Sequence, residues 1–145
     1  MLIPEDQLSV KKSQLPDAGK GLYTKVFIPK GTYIVEYKGT ISKWKELEET
    51  EWDNGYIYYV TRNYVINARP HPEHLARYAN DAAGLVKVKG LRNNCVYKKR
   101  GNKIYIFSEK DIKPGQEIFV AYGADYWKTV RENIRIQKQQ DKARR

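Results

Sequence analysis

The chain has 145 residues, of which 41% are hydrophobic and 30% are charged, as in an ordinary folded domain. Lys and Arg outnumber Asp and Glu by 27 to 17, so the net charge is +10 and anionic partners have to be considered. The single cysteine, Cys95, excludes an internal disulfide and a multi-cysteine zinc site. We find neither an apolar run of membrane-spanning length nor a secretory signal, so we expect a protein that is not secreted and works in the cytoplasm or, in a eukaryote, the nucleus.

Short strands dominate the elements that are predicted along the chain. A loop with Gly19 and Gly21 precedes the second strand; a lone Gly-x-Gly is a weak signal, but glycines let backbone groups approach a ligand closely. Short helical segments are predicted over Lys43–Glu51 and Glu73–Tyr78. In chain order, the predicted strands are an edge strand around Leu8 and Val10, Leu22–Phe27, Tyr33–Tyr37, the hairpin Tyr56–Val60 with Tyr64–Ala68, and the hairpin Asn93–Tyr97 with Lys103–Ser108 across a basic tip at Lys98–Asn102.

Two polar clusters each allow a structural and a functional interpretation. Five acidic residues fall between Glu46 and Asp53, either as a solvated helix face or as a collar that attracts a basic peptide. His71 and His74 lie three residues apart, and prolines flank His71 on both sides. Because no third ligand is nearby in sequence, we interpret them as surface polar residues and expect no metal site.

The tail concentrates the basic charge of the chain. From Tyr126 onward there are seven basic residues and two acids, which is half of the net charge. Residues Lys128–Arg145 are predicted to form a polar helix whose apolar anchors are Val130, Ile134 and Ile136. Nucleic acid, an acidic partner and simple solubility are all open as explanations of the tail.

One sequence design occurs twice in this chain. Ile112–Trp127 contains a Pro-Gly turn, an apolar run over Ile118–Val120 and then Tyr122 beside a glycine. Ile28–Gly39 repeats the order of turn, apolar strand and tyrosine, here Tyr37. A core tyrosine at a strand end is the simplest interpretation of either copy alone. The repetition leads us to the hypothesis that the two tyrosines face each other across a site.

Four groups of motifs follow one another between Asp17 and Trp127. They are Ala18-Gly-Lys-Gly-Leu-Tyr23; Ile28-x-x-Gly31 with Glu36-Tyr-Lys-Gly39; Leu75-Ala-Arg-Tyr-Ala-Asn80 followed by Asn94-Cys95; and Glu117-Ile-x-x-Ala-Tyr122-Gly123 with Tyr126-Trp127. Each group alone is weak, but their order and spacing resemble those of the SET-domain protein lysine methyltransferases. The resemblance implies transfer of a methyl group from S-adenosyl-L-methionine to a protein lysine.

The resemblance also implies a fold and a division of the chain. The expected fold is mainly β, of the β-clip or SET-like kind, with several short curved sheets, few short helices and a C-terminal basic helix. The chain near Tyr122 is expected to cross the segment around Asn80 and Asn94 in a knot-like arrangement. Residues 1–127 would form the SET-like catalytic domain and residues 128–145 a basic helical extension. The cysteine-rich zinc segments of many relatives are missing, as in small stand-alone members.

Roles in cofactor binding carry over where positions match. The backbone of Lys20-Gly21-Leu22 matches the loop that holds the methionine part of the cofactor, and Asn80 matches the asparagine at its amino-acid end. Asp81 stands where the family usually has a histidine, whose backbone lies near the adenine. The full set implied in cofactor binding is Lys20, Gly21, Leu22, Asn80, Asp81, Tyr122 and Trp127.

Three tyrosines match the lysine-binding side of the family's site. Tyr122 matches the catalytic tyrosine, whereas Tyr37 and Tyr97 match tyrosines that line the lysine channel. Tyr97 together with the small Val120 resembles the mono-methylating arrangement. A histone or another basic protein is the implied substrate, and the chain is a monomer or a dimer.

Two other classes of function stay open on the sequence alone. The departure at Asp81 is compatible with a catalytically silent SET-like module that binds a basic peptide through the acidic segment Glu46–Asp53. A basic β domain that binds nucleic acid through Lys98, Lys99, Arg100 and the tail is the second alternative.

Overall fold

A computed structural model of the chain describes residues 2–47, 56–61, 63–84, 87–123, 135–136 and 138–142. The strands are β1 (Leu8–Lys12), β2 (Lys20–Thr24), β3 (Tyr33–Glu36), β4 (Thr40–Ser42), β5 (Ile57–Thr61), β6 (Tyr64–Asn67), β7 (Cys95–Arg100), β8 (Lys103–Ser108), β9 (Glu117–Ile118) and β10 (Val120–Ala121). A four-residue α-helix, α1 (Trp44–Leu47), and 3-10 segments at Glu5–Gln7 and Leu75–Tyr78 accompany them. The prediction of a mainly β fold is confirmed. Among the described helices, none has the length and apolar character that a membrane crossing requires.

Three small sheets share the strands. Their orders are β1-β2-β9, β10-β7-β8-β3 and β4-β6-β5. The pairing of β10 with β7 is parallel, whereas the other pairs are antiparallel. A buried cluster built from all three sheets forms the main core and includes Leu22, Ile34, Ile66 and Ile106. The site described below therefore lies on elements that are fixed by a common core.

Both predicted hairpins form, but the second has a different tip. Strands β7 and β8 continue as far as Arg100 and Lys103, which pair directly with each other. Gly101 adopts a φ of +63°, a left-handed conformation that suits a two-residue turn between tightly paired strands. The prediction of a five-residue basic tip is wrong, because Lys98 and Lys99 lie within the strand.

The two turns with the repeated design pair with each other. Ile28 and Ile112 form an antiparallel bridge in which each N–H donates to the carbonyl of the other at 2.8 Å, and both side chains are fully buried. Gly31 and Gly115 have φ angles of +88° and +85°, which glycine adopts without steric cost. Their N–H groups donate to strand ends in the opposite half, Gly31 to Ser108 and Gly115 to Thr24. The repeat in the sequence is therefore a local two-fold arrangement in space.

The apolar run predicted as one strand over Ile118–Val120 is divided between two sheets. Its first part belongs to β9 and its last part to β10, and Phe119 between them forms a parallel bridge with Asn80. On the opposite side, the carbonyl of Phe119 accepts the N–H groups of Asn94 and Cys95. The stretch thus runs between the segments around Asn80 and Asn94, the two segments that the predicted crossing involves, and the knot-like arrangement itself stays a prediction.

Helical predictions are confirmed only in part. Residues Trp44–Leu47 and Leu75–Tyr78 are helical, and the rest of the first predicted helix lies outside the described residues. In the tail, residues 135–136 and 138–142 are helical and exposed. Ile136, one of the predicted apolar anchors, is 39% exposed, whereas Val130 and Ile134 lie outside the described residues, so the anchoring of the tail stays a prediction.

Candidate active site

Four tyrosine rings meet where the second and third sheets approach each other. Tyr97 occupies the middle of the group, with ring centroids 5.9 Å from Tyr37, 5.1 Å from Tyr58 and 6.3 Å from Tyr122. Tyr37 and Tyr58 are 6.1 Å apart. Tyr37 and Tyr122, which the sequence suggested as partners across a site, are therefore linked through Tyr97. The group presents aromatic walls of the kind that bind an apolar chain.

Each tyrosine is placed by a strand or by the residue that follows one. Tyr37 comes directly after β3, its N–H donates to the carbonyl of Ile104 at 2.7 Å, and its hydroxyl donates to the carbonyl of Tyr56 at 2.7 Å. Tyr97 lies on β7, and Tyr122 directly follows β10. Because β10 and β7 pair in parallel, these two rings lie side by side with an interplanar angle of 19°.

Sequence reasoning missed Tyr58. This residue lies on the edge strand β5, and burial raises the pKa of its phenol, so the hydroxyl stays protonated at neutral pH. Its neighbour Tyr59 points the other way and is 49% exposed. Neighbouring side chains of a strand point to opposite faces, so the sequence predicted that Tyr58 and Tyr59 would lie on different faces of β5. It did not indicate which of the two faces is turned toward the interior.

The hydroxyl and the backbone of Tyr122 are both held by the segment that contains Asn80. The hydroxyl donates a short hydrogen bond to the carbonyl of Ala79, at 2.5 Å. The N–H of Tyr122 donates to Oδ2 of Asp81 at 2.9 Å. The carboxylate of Asp81 is therefore turned toward the protein and contacts the residue that the resemblance identifies as catalytic.

Two of the residues predicted to bind a cofactor, Lys20 and Asn80, meet at the start of β2. This strand pairs with β9 through Leu22 and Tyr23, and the carbonyl of Lys20, beyond that ladder, accepts a hydrogen bond from Nδ2 of Asn80 at 2.9 Å. The side chain of Leu22 is fully buried in the core. The backbone of Lys20 and the amide of Asn80, which the sequence places far apart, are therefore in direct contact.

Glu117 explains why position 21 is a glycine. The carboxylate of Glu117 is buried and accepts hydrogen bonds from the Ser13 hydroxyl at 2.6 Å and from the Gln14 N–H at 2.9 Å. A Cβ at Gly21 would collide with that carboxylate. Burial, followed by the charge of Glu117, raises the pKa of Tyr23 to about 12. Glu117 thus fixes the loop before β2, and sequence reasoning had treated it only as part of a motif.

A cavity of about 780 Å³ that is open to solvent lies along that loop. Its walls are formed by Lys12, Ser13, Gln14, Leu15, Pro16, Asp17, Gly19 and Lys20. Lys20 is the residue that this cavity shares with the predicted cofactor set. A volume of this size lies within the range of ordinary small-molecule sites, about 300–1,000 Å³.

Arg77 has a structural position, because it holds backbone groups near the tyrosine cluster. Its guanidinium donates to the carbonyls of Ala68 and Arg69 at 2.9 and 2.7 Å. The same group lies 4.4 Å from the ring centroid of Tyr56, whose carbonyl accepts the Tyr37 hydroxyl. Arg77 therefore packs on Tyr56, the residue whose carbonyl accepts the hydrogen bond from Tyr37.

The histidines lie in a hydrogen-bonded group outside the tyrosine cluster. Nε2 of His71 is 2.7 Å from the Thr40 hydroxyl, and Nδ1 is 3.0 Å from the carboxylate of Glu73. His74 Nε2 is 3.8 Å from the same carboxylate. The backbone of Glu73 and then the His71 ring hold the pKa of Glu73 below its usual range. Both ring nitrogens of His71 thus have partners within the protein. The premise that no third ligand is nearby in sequence is wrong, because Glu73 brings a carboxylate oxygen within 4.8 Å of a ring nitrogen of each histidine.

Part of the predicted set lies outside the described residues. Trp127, with Tyr126, and most of the acidic segment between Glu46 and Asp53 belong to this part. Glu46 is described and exposed, with its carboxylate 3.4 Å from the N–H of Lys43. The predicted contact of Trp127 with adenine and the predicted collar stay predictions.

Cys95 is predicted to be unreactive in the folded protein. It is 2% exposed on β7, and burial, with a smaller contribution from Glu109, raises the pKa of its thiol to about 12. The thiolate is the reactive form and is scarce below that pH. We expect no carbamidomethylation by iodoacetamide at about pH 8 unless urea unfolds the chain, as read by intact mass. Equal labelling rates with and without urea would contradict this.

The described residues form three small sheets with few short helices, which is the architecture expected of a SET-like β fold. Residues 19–123 match the SET domain family model. The Caenorhabditis elegans protein named histone-lysine N-methyltransferase set-17 is 28% identical over 122 residues, which is 81% of this chain and 41% of that protein. The Arabidopsis thaliana protein named histone-lysine N-methyltransferase ASHH3 is 30% identical over 140 residues, 84% of this chain and 36% of that protein.

The chain belongs to the SET-domain family, because the family model covers most of its length. It spans about two fifths of the length of the two relatives. The resemblance inferred from the order of motifs is thereby confirmed.

Proposed function

We propose that this protein transfers a methyl group from S-adenosyl-L-methionine to the side-chain amine of a lysine in a basic protein. The observation that carries the proposal is the convergence of four tyrosine rings, with neighbouring centroids 5.1–6.3 Å apart. One of them, Tyr122, is hydrogen-bonded to Ala79, the residue before Asn80. Membership of the SET-domain family and the names of both relatives support the same reaction. A histone-like partner inside the cell is the substrate that fits this proposal.

The reaction requires a neutral lysine, and the tyrosine cluster provides a suitable environment. With a pKa of about 10.4, an exposed lysine is neutral in only about 4 of 10,000 molecules at pH 7. A channel of Tyr37, Tyr58 and Tyr97 removes water from the amine, which disfavours the ammonium form and lowers the lysine pKa. The rings also hold the aliphatic part of the lysine side chain, so the nucleophile arrives in one orientation.

The start of β2 offers polar groups that could bind the amino-acid end of the proposed cofactor. The Lys20 carbonyl and the Asn80 amide form a polar pair next to the cavity, and both belong to groups that hydrogen-bond amino and carboxylate functions. When bound there, S-adenosyl-L-methionine would supply an electrophilic methyl group on a sulfonium. The chain's own contribution is to bind, to orient and to exclude water.

Tyr122 is the group that we assign to orientation of the amine. Its ring lies parallel to Tyr97, and its hydroxyl is fixed on the Ala79 carbonyl, next to Asn80. A phenol held in this way presents an oxygen that can accept a hydrogen bond from the amine and direct its lone pair. Tyr122 therefore joins the lysine channel to the cofactor side of the site.

The proposal is tested with the intact chain and a panel of basic proteins. Incubation with cofactor carrying a labelled methyl group should label lysine in at least one histone or other basic protein, identified by peptide mass spectrometry. Cofactor binding in calorimetry without labelling of any lysine would support the silent module instead. DNA binding whose affinity falls steeply with salt, without cofactor binding, would support the nucleic-acid alternative.

Tyr97→Phe tests the proposal that the wild type stops at the monomethyl product. The space beside Tyr97 and Val120 sets how many methyl groups the amine can carry, and removal of the Tyr97 hydroxyl enlarges it. We expect the dimethyl share of the product to rise from a minor to a major fraction in mass spectra of the modified peptide. Mainly trimethyl product from the wild type would contradict the proposal.

A further inference from the structure

The carboxylate of Asp81 lies where separate parts of the chain come together. Its residue is 7% exposed. Oδ2 accepts the N–H of Tyr122 at 2.9 Å, and Oδ1 accepts the N–H of Ala83 and an Nδ2 hydrogen of Asn93, each at 2.8 Å. Three N–H donors thus compensate for the burial of a charged group.

Asn93 is itself held, so this arrangement is more than a chance contact. Its Oδ1 accepts the N–H of Ala82 at 2.8 Å while its Nδ2 donates to Asp81. The loop after Asn80 is therefore tied to the residue before Asn94, and both are tied to the backbone of Tyr122. A displacement of the Asp81 side chain would move all of these groups.

The residues on either side of Asn80 hold Tyr122 at two points. Ala79 accepts its hydroxyl and Asp81 accepts its backbone N–H. Asn80 itself donates to the Lys20 carbonyl at 2.9 Å. Residues 79–81 therefore connect the Lys20 carbonyl to Tyr122 and set the distance between them.

A carboxylate suits position 81 better than the family's usual histidine in this environment. A neutral imidazole has a single acceptor nitrogen, whereas a carboxylate has two oxygens that each accept more than one hydrogen bond. Asp81 serves the three donors at once. The departure from the family pattern is thus matched by Asn93 and by the surrounding backbone.

We propose that Asp81 is a positioning residue that aligns Tyr122 with the cofactor side of the site. This inference rests on the proposed function and deepens it, since it assigns a role to a side chain whose family counterpart was considered only for its backbone. The carboxylate acts through the Tyr122 backbone and does not touch the reacting atoms.

Asp81→Asn is the primary test, with Asp111→Asn as a matched control. The amide has one oxygen and one NH2 group, so it must turn the NH2 group toward at least one N–H donor. At least one of the hydrogen bonds that Asp81 accepts from Tyr122, Ala83 and Asn93 is then lost. We expect kcat to fall at least about tenfold while the cofactor Kd changes by less than about threefold. Asp111 is exposed and also accepts a backbone N–H, that of Lys30, at 2.8 Å, so its variant should match the wild type.

A double-mutant cycle separates positioning from general stability. If Asp81 acts through the phenol, then Asp81→Asn should lower kcat much less in a Tyr122→Phe background than in the wild type. Fully multiplicative losses would overturn the inference. Equal kcat for Asp81→Asn and wild type would do the same.

Amide hydrogen exchange of Tyr122 by NMR gives a readout without catalysis. Exchange should be at least about tenfold faster in Asp81→Asn than in the wild type and unchanged in Asp111→Asn. If the wild type labels no lysine, the proposed function fails, and unchanged exchange would then also remove the structural basis of the inference. An active wild type with unchanged exchange and unchanged kcat in Asp81→Asn would overturn the inference alone.

Discussion

Tyr122→Phe is expected to lower kcat for lysine methylation by about 100-fold, with the cofactor Kd little changed. The substitution keeps the ring beside Tyr97 and keeps the backbone N–H on Asp81. It removes the hydroxyl that is fixed on the Ala79 carbonyl, and with it the oxygen that we assign to orienting the amine. Loss of alignment of this kind costs rate more than binding.

The measurement compares single-turnover labelling rates of a lysine peptide by wild type, Tyr122→Phe and Tyr105→Phe. Tyr105 is a suitable control because it lies on β8, alternates with the buried Ile104 and Ile106, and packs at 5.5 Å against Tyr33 on the other face of that sheet. The control should keep the wild-type rate. A Tyr122→Phe enzyme as fast as the control would remove Tyr122 from the mechanism.

Gly39→Ala is expected to destabilise the folded chain by about 3 kcal/mol or more. A Cβ at this position would collide with the carbonyl group of Asn67 and lie 2.8 Å from the backbone nitrogen of Ala68. Both neighbours are backbone atoms at the end of β6, so no side-chain rotation relieves the contact. The Ala68 N–H donates to the Tyr56 carbonyl, which also accepts the Tyr37 hydroxyl, and the damage therefore extends to the channel.

Urea unfolding of Gly39→Ala, with Gly101→Asn as control, measures this effect. Gly101 has a φ of +63° and nothing within 4 Å of a Cβ, and asparagine tolerates this left-handed conformation better than most residues. The control should stay within about 1 kcal/mol of the wild type. A Gly39→Ala protein as stable as the control would show that the two backbones separate readily.

The order of motifs predicted the family and the neighbourhood of Tyr37, Tyr97 and Tyr122, because glycines and tyrosines at fixed spacing mark places where the backbone has few alternatives. The same information did not reveal Tyr58. Its strand contains tyrosines on both faces, and which face is inner depends on pairing with β6.

Side-chain hydrogen bonds between segments that are far apart in the chain could also not be predicted from the sequence. Asp81 looked like a departure from a pattern, yet its carboxylate accepts the backbone of Tyr122. Glu117 looked like the first residue of a motif, yet it orders the loop at Ser13 and Gln14. Such roles depend on which segments meet, and a local pattern does not specify that. Trp127 lies outside the described residues, and its contact with adenine stays a prediction.

The mutual bridge between Ile28 and Ile112 has a consequence for biosynthesis. A nascent polypeptide that is released from the ribosome before Ile112 has been added leaves Ile28, whose side chain is fully buried in the folded protein, without its hydrogen-bonding partner. The part of the chain that precedes Ile112 therefore has no complete native state of its own and cannot finish folding until Ile112 is available. Premature termination anywhere before this point should yield protease-sensitive material rather than a weakened catalyst.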